Sequence, residues 1–319
     1  MSSTRAKHLL LHGLVAVAWL VLFRLLARYA VYLLPDSFAN TLSLQAYLAA
    51  VAVVATLIGL GIAWVVLPEP RAALGLGRPS ARGLALSAGL ALPAYVLVSA
   101  AAIAIALPTL LDELRRGGRA LAQQSTGEFG RALVQSPALL TLLWGAVISP
   151  IAEELLFRGA LWTWLQRVTA RVMASRQPLE PADSTALPAG VITDGWGLRT
   201  IKGTAAHLRD GGLATLLVGA VFGYLHMDTP GGLGIVRAVS AFGLGFATGL
   251  ARHLGGNVWC AVVLHVLFNT ASLATARRWV VSEAFPLKYG MPTLLIVAAA
   301  VSALATLGLH LATRRRHAN

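Results

Sequence analysis

The sequence has little cysteine and little charge. Cys260 is the only cysteine among the 319 residues, so an internal disulfide and a cysteine-based metal cluster are both excluded. Charged residues make up 12% of the chain, against roughly a quarter in ordinary soluble proteins. Acidic residues are scarcer than basic ones, with 13 Asp and Glu against 26 Lys and Arg. An acidic residue inside an apolar segment is therefore unusual in this sequence and is a candidate functional residue.

Hydrophobic residues account for 57% of the chain and recur in long apolar segments. A membrane-spanning helix needs roughly 20 such residues. The sequence predicts an all-α fold, a polytopic membrane bundle of about eight transmembrane helices that encloses a polar cavity within a single integral-membrane domain, 1–319. The predicted spans are 9–34, 44–67, 83–107, 138–165, 212–227, 233–251, 257–276 and 291–312.

The net charge of +13 does not indicate a nucleic-acid partner, because no basic stripe with base-reading or stacking groups is present. The basic residues instead flank the apolar segments, as expected beside anionic membrane lipids. If both termini lie in the cytoplasm, most of the basic residues lie on the cytoplasmic side of the membrane. We therefore expect that orientation, which makes the proline-containing segment 168–210 a polar cytoplasmic loop within a motif-bearing core, 138–276.

Two arginines in the first predicted span, Arg24 and Arg28, lie one helical turn apart. Long basic side chains near a membrane boundary commonly extend towards water. We expect that role here; a lipid headgroup, a substrate carboxylate or a helix end is an alternative partner.

The stretch ISPIAEELLFRG, residues 148–159, places two acids and an arginine in the fourth predicted span. Each charged group resists transfer out of water. Glu154 and Arg158 are four residues apart and share a helix face, so they can pair. Glu153 points about 100° away and has no obvious partner on its own helix. We therefore expect it to face a polar cavity, to be protonated, or to meet a group from another span.

Two other spans carry polar groups at one-turn spacing. The fifth ends with Phe222 and His226, and the seventh contains His265 and Asn269. In hydrocarbon such clusters are most easily satisfied by facing one another. A carboxylate and an imidazole can activate water as general bases, and imidazole and amide N–H groups can stabilise an oxyanion. Together they could hydrolyse an amide without a GxSxG nucleophile motif, which is absent.

Two other interpretations of these clusters remain open. Polar membrane residues can simply hold helices together, which would suit a noncatalytic adaptor or immunity protein. Two histidines and a glutamate can also bind zinc, although the HExxH spacing is absent.

The predicted depths of these groups in the membrane disagree. Glu153 and His265 fall near the inner ends of their spans, whereas His226 falls near the outer end of a short fifth span. We expect either that the fifth helix begins deeper than the span 212–227 implies or that the segment after His226 dips into a protein-lined cavity.

The ordered motifs EExxxR, FxxxH and HxxxN resemble those of the CAAX prenyl endopeptidases and their bacterial abortive-infection-like relatives, a family of eight-helix intramembrane glutamate proteases. They are EELLFR at 153–158, FGYLH at 222–226 and HVLFN at 265–269. The resemblance covers about 138–276, and the remaining predicted spans agree with the family mainly in being hydrophobic.

The resemblance implies that Glu153 and His226 activate water, that His265 and Asn269 stabilise the oxyanion, and that Arg158 holds Glu154. No cofactor is expected, and a metal-dependent form is left open. The implied partner is a peptide or protein substrate, lipid-modified in eukaryotic members and of other kinds in bacterial relatives. A bacterial cytoplasmic membrane is the expected location.

Overall fold

The structure, a computed structural model, describes residues 3–29, 41–116, 137–175, 196–227 and 231–276. These described residues are helical apart from a few short turns, and they contain no strand. The first four helices are α1 (Ser3–Tyr29), α2 (Thr41–Val66), α3 (Pro70–Ala73) and α4 (Ala81–Arg115). The last three are α8 (Trp196–Leu225), α9 (Gly231–Gly255) and α10 (Val258–Ala276).

A continuous helical segment between them, 138–175, is named here the glutamate helix. It consists of α5 (Ala138–Thr141), a π-helical segment (Leu142–Ile148), α6 (Ser149–Glu154), a second π-helical segment (Leu155–Leu161) and α7 (Trp162–Ser175). Pro150 lies in the first turn of α6 and has no N–H to donate to the preceding turn. Wider π turns therefore flank the short helix that carries both glutamates, an arrangement frequent at functional sites.

The all-α membrane fold is confirmed. Six described segments are long and apolar enough to cross a membrane, and Gly211–Leu225 is a shorter apolar stretch. The last predicted span, 291–312, lies outside the described residues. The six segments are Ala6–Ala27, Ala49–Val66, Ala81–Arg115, Ala138–Val172, Gly234–Gly255 and Val258–Thr275.

The segment predicted as a loop, 168–210, is helical at both ends. Residues 168–175 continue α7, and 196–210 form the first half of α8; 176–195 lies outside the described residues. In α7 the apolar residues Leu165, Val168 and Val172 follow a helical period between basic ones. A search for long apolar runs misses such an amphipathic helix.

The fifth predicted span, 212–227, corresponds to the second half of the longer helix α8. The helix begins at Trp196 instead of near residue 212 and ends at Leu225, directly before His226. The backbone N–H of His226 donates to the carbonyl of Gly223 at 3.0 Å, which closes the last turn.

Small residues let α8 and α9 approach closely where the site is formed. A Cβ atom on Gly245 would lie 2.9 Å from the Gly219 Cα atom and 3.1 Å from Arg158 Nη2. Close backbone approach at small residues is a common way for membrane helices to pack. The carbonyl group of Gly245 is thereby within reach of the glutamate helix.

We expect Gly245→Ala to destabilise the protein by about 1–3 kcal/mol, because the added methyl group meets backbone that must move. The free energy of unfolding in mixed micelles measures this effect. Gly89→Ala is the matched control, since nothing lies within 4 Å of a Cβ atom there. Equal stability of the two variants would contradict the close contact between α8 and α9.

Candidate active site

A buried ion pair lies on the glutamate helix, and its arginine also donates a hydrogen bond to α9. Glu154 and Arg158 have no exposed side-chain surface, and Arg158 Nη1 lies 3.1 Å from Glu154 Oε1. Arg158 Nη2 donates to the carbonyl oxygen of Gly245 at 2.8 Å. The guanidinium carbon also lies 5.1 Å from the centre of the Phe222 ring, within cation–π range. The spacing of the two residues predicted this pairing.

His265 lies between the two glutamates. Its Nδ1 atom is 2.7 Å from Glu154 Oε1, and its Nε2 atom is 3.9 Å from Glu153 Oε2. An ionised carboxylate only accepts hydrogen bonds, so Nδ1 carries the proton that faces Glu154. The other ring nitrogen, Nε2, is therefore directed towards Glu153.

Glu153 has a partner on its own helix, contrary to the sequence-based expectation. The hydroxyl group of Ser149, one turn earlier, donates to Glu153 Oε1 at 2.5 Å. The side chain of Glu153 is 16% exposed, whereas that of Glu154 is fully buried. Ser149 and Glu153 are four residues apart in the sequence. This spacing places both side chains on one face of a helix, so it could have predicted the hydrogen bond.

His226 and Asn269 are each held by a backbone carbonyl group. His226 Nδ1 donates to the carbonyl of Phe222 at 2.7 Å, so its Nε2 atom is the nitrogen left for other partners. Asn269 Nδ2 donates to the carbonyl of Gly145 on the glutamate helix at 2.9 Å. One N–H of that amide group remains for another acceptor.

A cavity of about 400 Å³ brings these groups together, and Glu153, His226, His265 and Asn269 all line it. Glu154 and Arg158 do not line the cavity and lie behind His265 in the packed interior. Further polar lining residues that the sequence analysis did not single out are Ser149, Arg237, Ser240 and Ser272. Arg237 is an arginine within the apolar span 233–251, and that position could have predicted that it faces a polar cavity.

The lining combines a carboxylate, two imidazoles and an amide, which are the groups needed to activate water and stabilise an oxyanion. Within the part of the chain that the structure describes, no group of three or more His, Cys, Asp or Glu side chains is placed to hold a metal ion. The zinc alternative therefore has no support from the described geometry.

Arg24 contacts a helix end next to His226. Its Nη1 atom donates to the carbonyl of Leu225, the last residue of α8, at 3.1 Å. Orphan carbonyl groups at a helix C-terminus are favourable partners for a cation. We expected Arg24 to extend towards water. The structure instead shows the helix end, one of the alternative partners considered for it. The side chain of Arg28 lies outside the described residues.

These observations define a polytopic membrane protein whose helices enclose a polar cavity. The family model described as type II CAAX prenyl endopeptidase Rce1-like matches residues 135–178 and 187–271. The matched residues are similar to that family, which is generally one of membrane proteases, and they include all three motifs. Comparison with curated proteins and with solved structures gave no match.

Proposed function

We propose that this protein is an intramembrane endopeptidase that hydrolyses a peptide bond with a water molecule activated by Glu153 and His226. One observation carries the proposal: Glu153, His226, His265 and Asn269, from three separate helical segments, line the same cavity. Ionisable groups are costly inside a membrane, and they commonly mark functional sites there.

In the proposed reaction, Glu153 and the Nε2 atom of His226 both accept hydrogen bonds from the water molecule. The water oxygen attacks the carbonyl carbon of the substrate while Glu153 accepts one proton from it. The oxyanion receives hydrogen bonds from the free N–H of Asn269 and from His265. When the C–N bond breaks, the accepted proton passes to the leaving amine. The products are a new carboxyl end and a new amino end.

His265 can donate from Nε2 only when both ring nitrogens are protonated, because Nδ1–H already faces Glu154. The carboxylate of Glu154 lies 2.7 Å from Nδ1 and fixes the orientation of the ring. Arg158 in turn holds the carboxylate in place. Glu154 and Arg158 are therefore proposed as positioning residues that act through His265.

A noncatalytic role has one observation in its favour. Two polar groups of the cavity have partners within the protein, since Ser149 donates to Glu153 and Asn269 donates to the Gly145 carbonyl. Such bonds suit helix association in an adaptor or immunity protein. Under that role, Glu153→Gln at unchanged protein level leaves the cellular phenotype intact.

Terminal-peptide proteomics of membranes, comparing wild-type cells with a Glu153→Gln strain, tests the endopeptidase proposal. We expect processed protein ends that occur only with the wild type, together with uncleaved precursors in the variant. The masses of the precursors show whether the substrate carries a prenyl group. The same set of ends in both strains, at equal levels of the protein, would contradict the proposal.

Elemental analysis of the purified protein and chelator treatment separate the metal-free reaction from a zinc-dependent one. We expect activity to survive chelation, since the groups proposed for catalysis are a carboxylate, two imidazoles and an amide. Loss of activity on chelation, with recovery on adding zinc, would favour the metal-dependent form.

A further inference from the structure

A second cavity, of about 300 Å³, lies between α1, α7 and the turn that joins α2 to α3. Its polar lining residues are His8 and His12 from α1, Glu69 from the turn and Arg167 from α7. None of its lining residues lines the cavity that contains Glu153. It is therefore a separate candidate site, named here the α1 cavity.

The α1 cavity lies where two apolar spans end. The span Ala6–Ala27 begins two residues before His8. The span Ala49–Val66 ends one residue before Leu67, which also lines the cavity. Ends of apolar spans lie at the boundary between the hydrocarbon core and the polar headgroup region. The α1 cavity is therefore at the depth where the phosphate groups of membrane lipids lie.

Arg167 is held in the α1 cavity by an uncharged acceptor. Its Nη1 atom donates to Nδ1 of His12 at 3.3 Å, since a guanidinium group can only donate. The side chain of His12 is buried, whereas that of Arg167 is exposed. An imidazole nitrogen that accepts a hydrogen bond carries no proton, so this bond orients the guanidinium group without offsetting its charge.

The charge around Arg167 is predominantly positive among the described residues. Arg171 and Arg252 lie near enough to interact with it electrostatically, and so does Glu69. Arg252 is buried against the ring of Trp162, at 5.0 Å from its centre, and its Nε atom has no hydrogen-bond partner. Three arginines near one glutamate favour the binding of an anion.

A lipid phosphate diester matches the chemistry of the α1 cavity. Arginine binds phosphate oxygens through two parallel hydrogen bonds, and the exposed imidazole of His8 can donate another. The carboxylate of Glu69 weakens the attraction for a multiply charged anion. It therefore favours the single charge of a diester over a free phosphate, which carries more charge. Leu67, Pro68 and Ala73 add an apolar wall beside these groups.

We infer that the α1 cavity binds the phosphate group of an anionic membrane lipid through Arg167 and His8. This site is separate from the proposed reaction and does not depend on peptide hydrolysis. The helices on its two sides are in close contact, because a Cβ atom on Gly13 would lie 2.6 Å from Trp164 Nε1. A lipid bound by both helices therefore stabilises the packing of α1 against the glutamate helix.

Binding of short-chain lipids to the purified full-length protein in micelles of an uncharged detergent tests the site. The probes are dioctanoyl phosphatidylglycerol, dioctanoylglycerol, which has the same acyl chains and no phosphate, and inorganic phosphate. Native mass spectrometry reports the bound molecules. We expect wild type to bind the phosphatidylglycerol about tenfold more tightly than dioctanoylglycerol, as for hydrogen bonds to a charged group.

Arg167→Gln is expected to remove this preference for the phosphate-bearing lipid, and Arg167→Lys to keep part of it. Arg171→Gln is the matched control, because it removes the same charge one turn later on α7 and does not line the cavity. We expect it to change the preference by less than about threefold, since solvent and salt screen a charge outside the contact. Equal binding of the two lipids by wild type, or equal losses in Arg167→Gln and Arg171→Gln, would overturn the inference.

Thermal unfolding in the same micelles gives a second measurement. We expect dioctanoyl phosphatidylglycerol to raise the Tm of wild type and to leave that of Arg167→Gln unchanged. A cooperative transition in the variant shows that it is folded. An equal rise in both proteins would overturn the site. Inorganic phosphate that binds as tightly as the lipid, and only when Arg167 is present, would assign the cavity to a free anion and overturn the lipid assignment.

Discussion

Glu153→Gln is expected to lower kcat/KM for a substrate identified in cells by about 10²–10⁴-fold, the usual contribution of a positioned general base. Glutamine keeps the size and can still accept the hydrogen bond from Ser149, but it cannot take a proton from water. The variant should therefore fold normally but hydrolyse the substrate slowly. The measurement is product formation by purified protein in nanodiscs.

Ser149→Ala is the matched control for this prediction, because it removes the 2.5 Å partner of Glu153 and leaves the carboxylate. We expect a loss of no more than about 10–100-fold, since a hydrogen bond to a charged group contributes about 1.5–3 kcal/mol. If Ser149→Ala were as inactive as Glu153→Gln, the serine itself would be the nucleophile and the water mechanism would be wrong.

Arg158→Leu is expected to destabilise the protein by about 3–5 kcal/mol, because it leaves Glu154 buried without its cation. Both side chains have no exposed surface, and Arg158 also connects the glutamate helix to α9 through the Gly245 carbonyl. The free energy of unfolding, from denaturation in mixed micelles, measures the loss.

Two further variants check the physical cause. Glu154→Gln combined with Arg158→Leu removes both charges and should recover much of the stability. Arg116→Leu breaks an exposed pair of the same spacing, Asp112 and Arg116, and should cost less than about 1 kcal/mol. If the buried and exposed arginine variants were equally stable, burial of the ion pair would not matter.

The sequence predicted the helical fold, and it predicted that the polar groups of three spans face one another, because both depend on local patterns. Apolar length defines the spans, and one-turn spacing places Glu154 with Arg158 and His265 with Asn269. Scarcity of charge made these few groups stand out. Their convergence followed from the high cost of isolated polar groups in hydrocarbon.

Features that depend on contacts between helices were not predicted. The bond from His265 to Glu154 and the bond from Asn269 to the Gly145 carbonyl require the relative rotation of separate helices. The π-helical segments change that rotation by altering the number of residues per turn. The spacing of apolar residues in the sequence does not reveal where such segments occur. Arg237 reaches the cavity through the same packing.

A double-mutant cycle between Glu153 and His226 tests the central claim, that the two act on one water molecule in one cavity. The measurement is kcat/KM for wild type, Glu153→Gln, His226→Gln and the double variant on the same substrate. Groups that work as a unit give non-additive losses. We predict that the double variant is no more than about threefold slower than the slower single variant; a loss equal to the product of the two single losses would contradict the account.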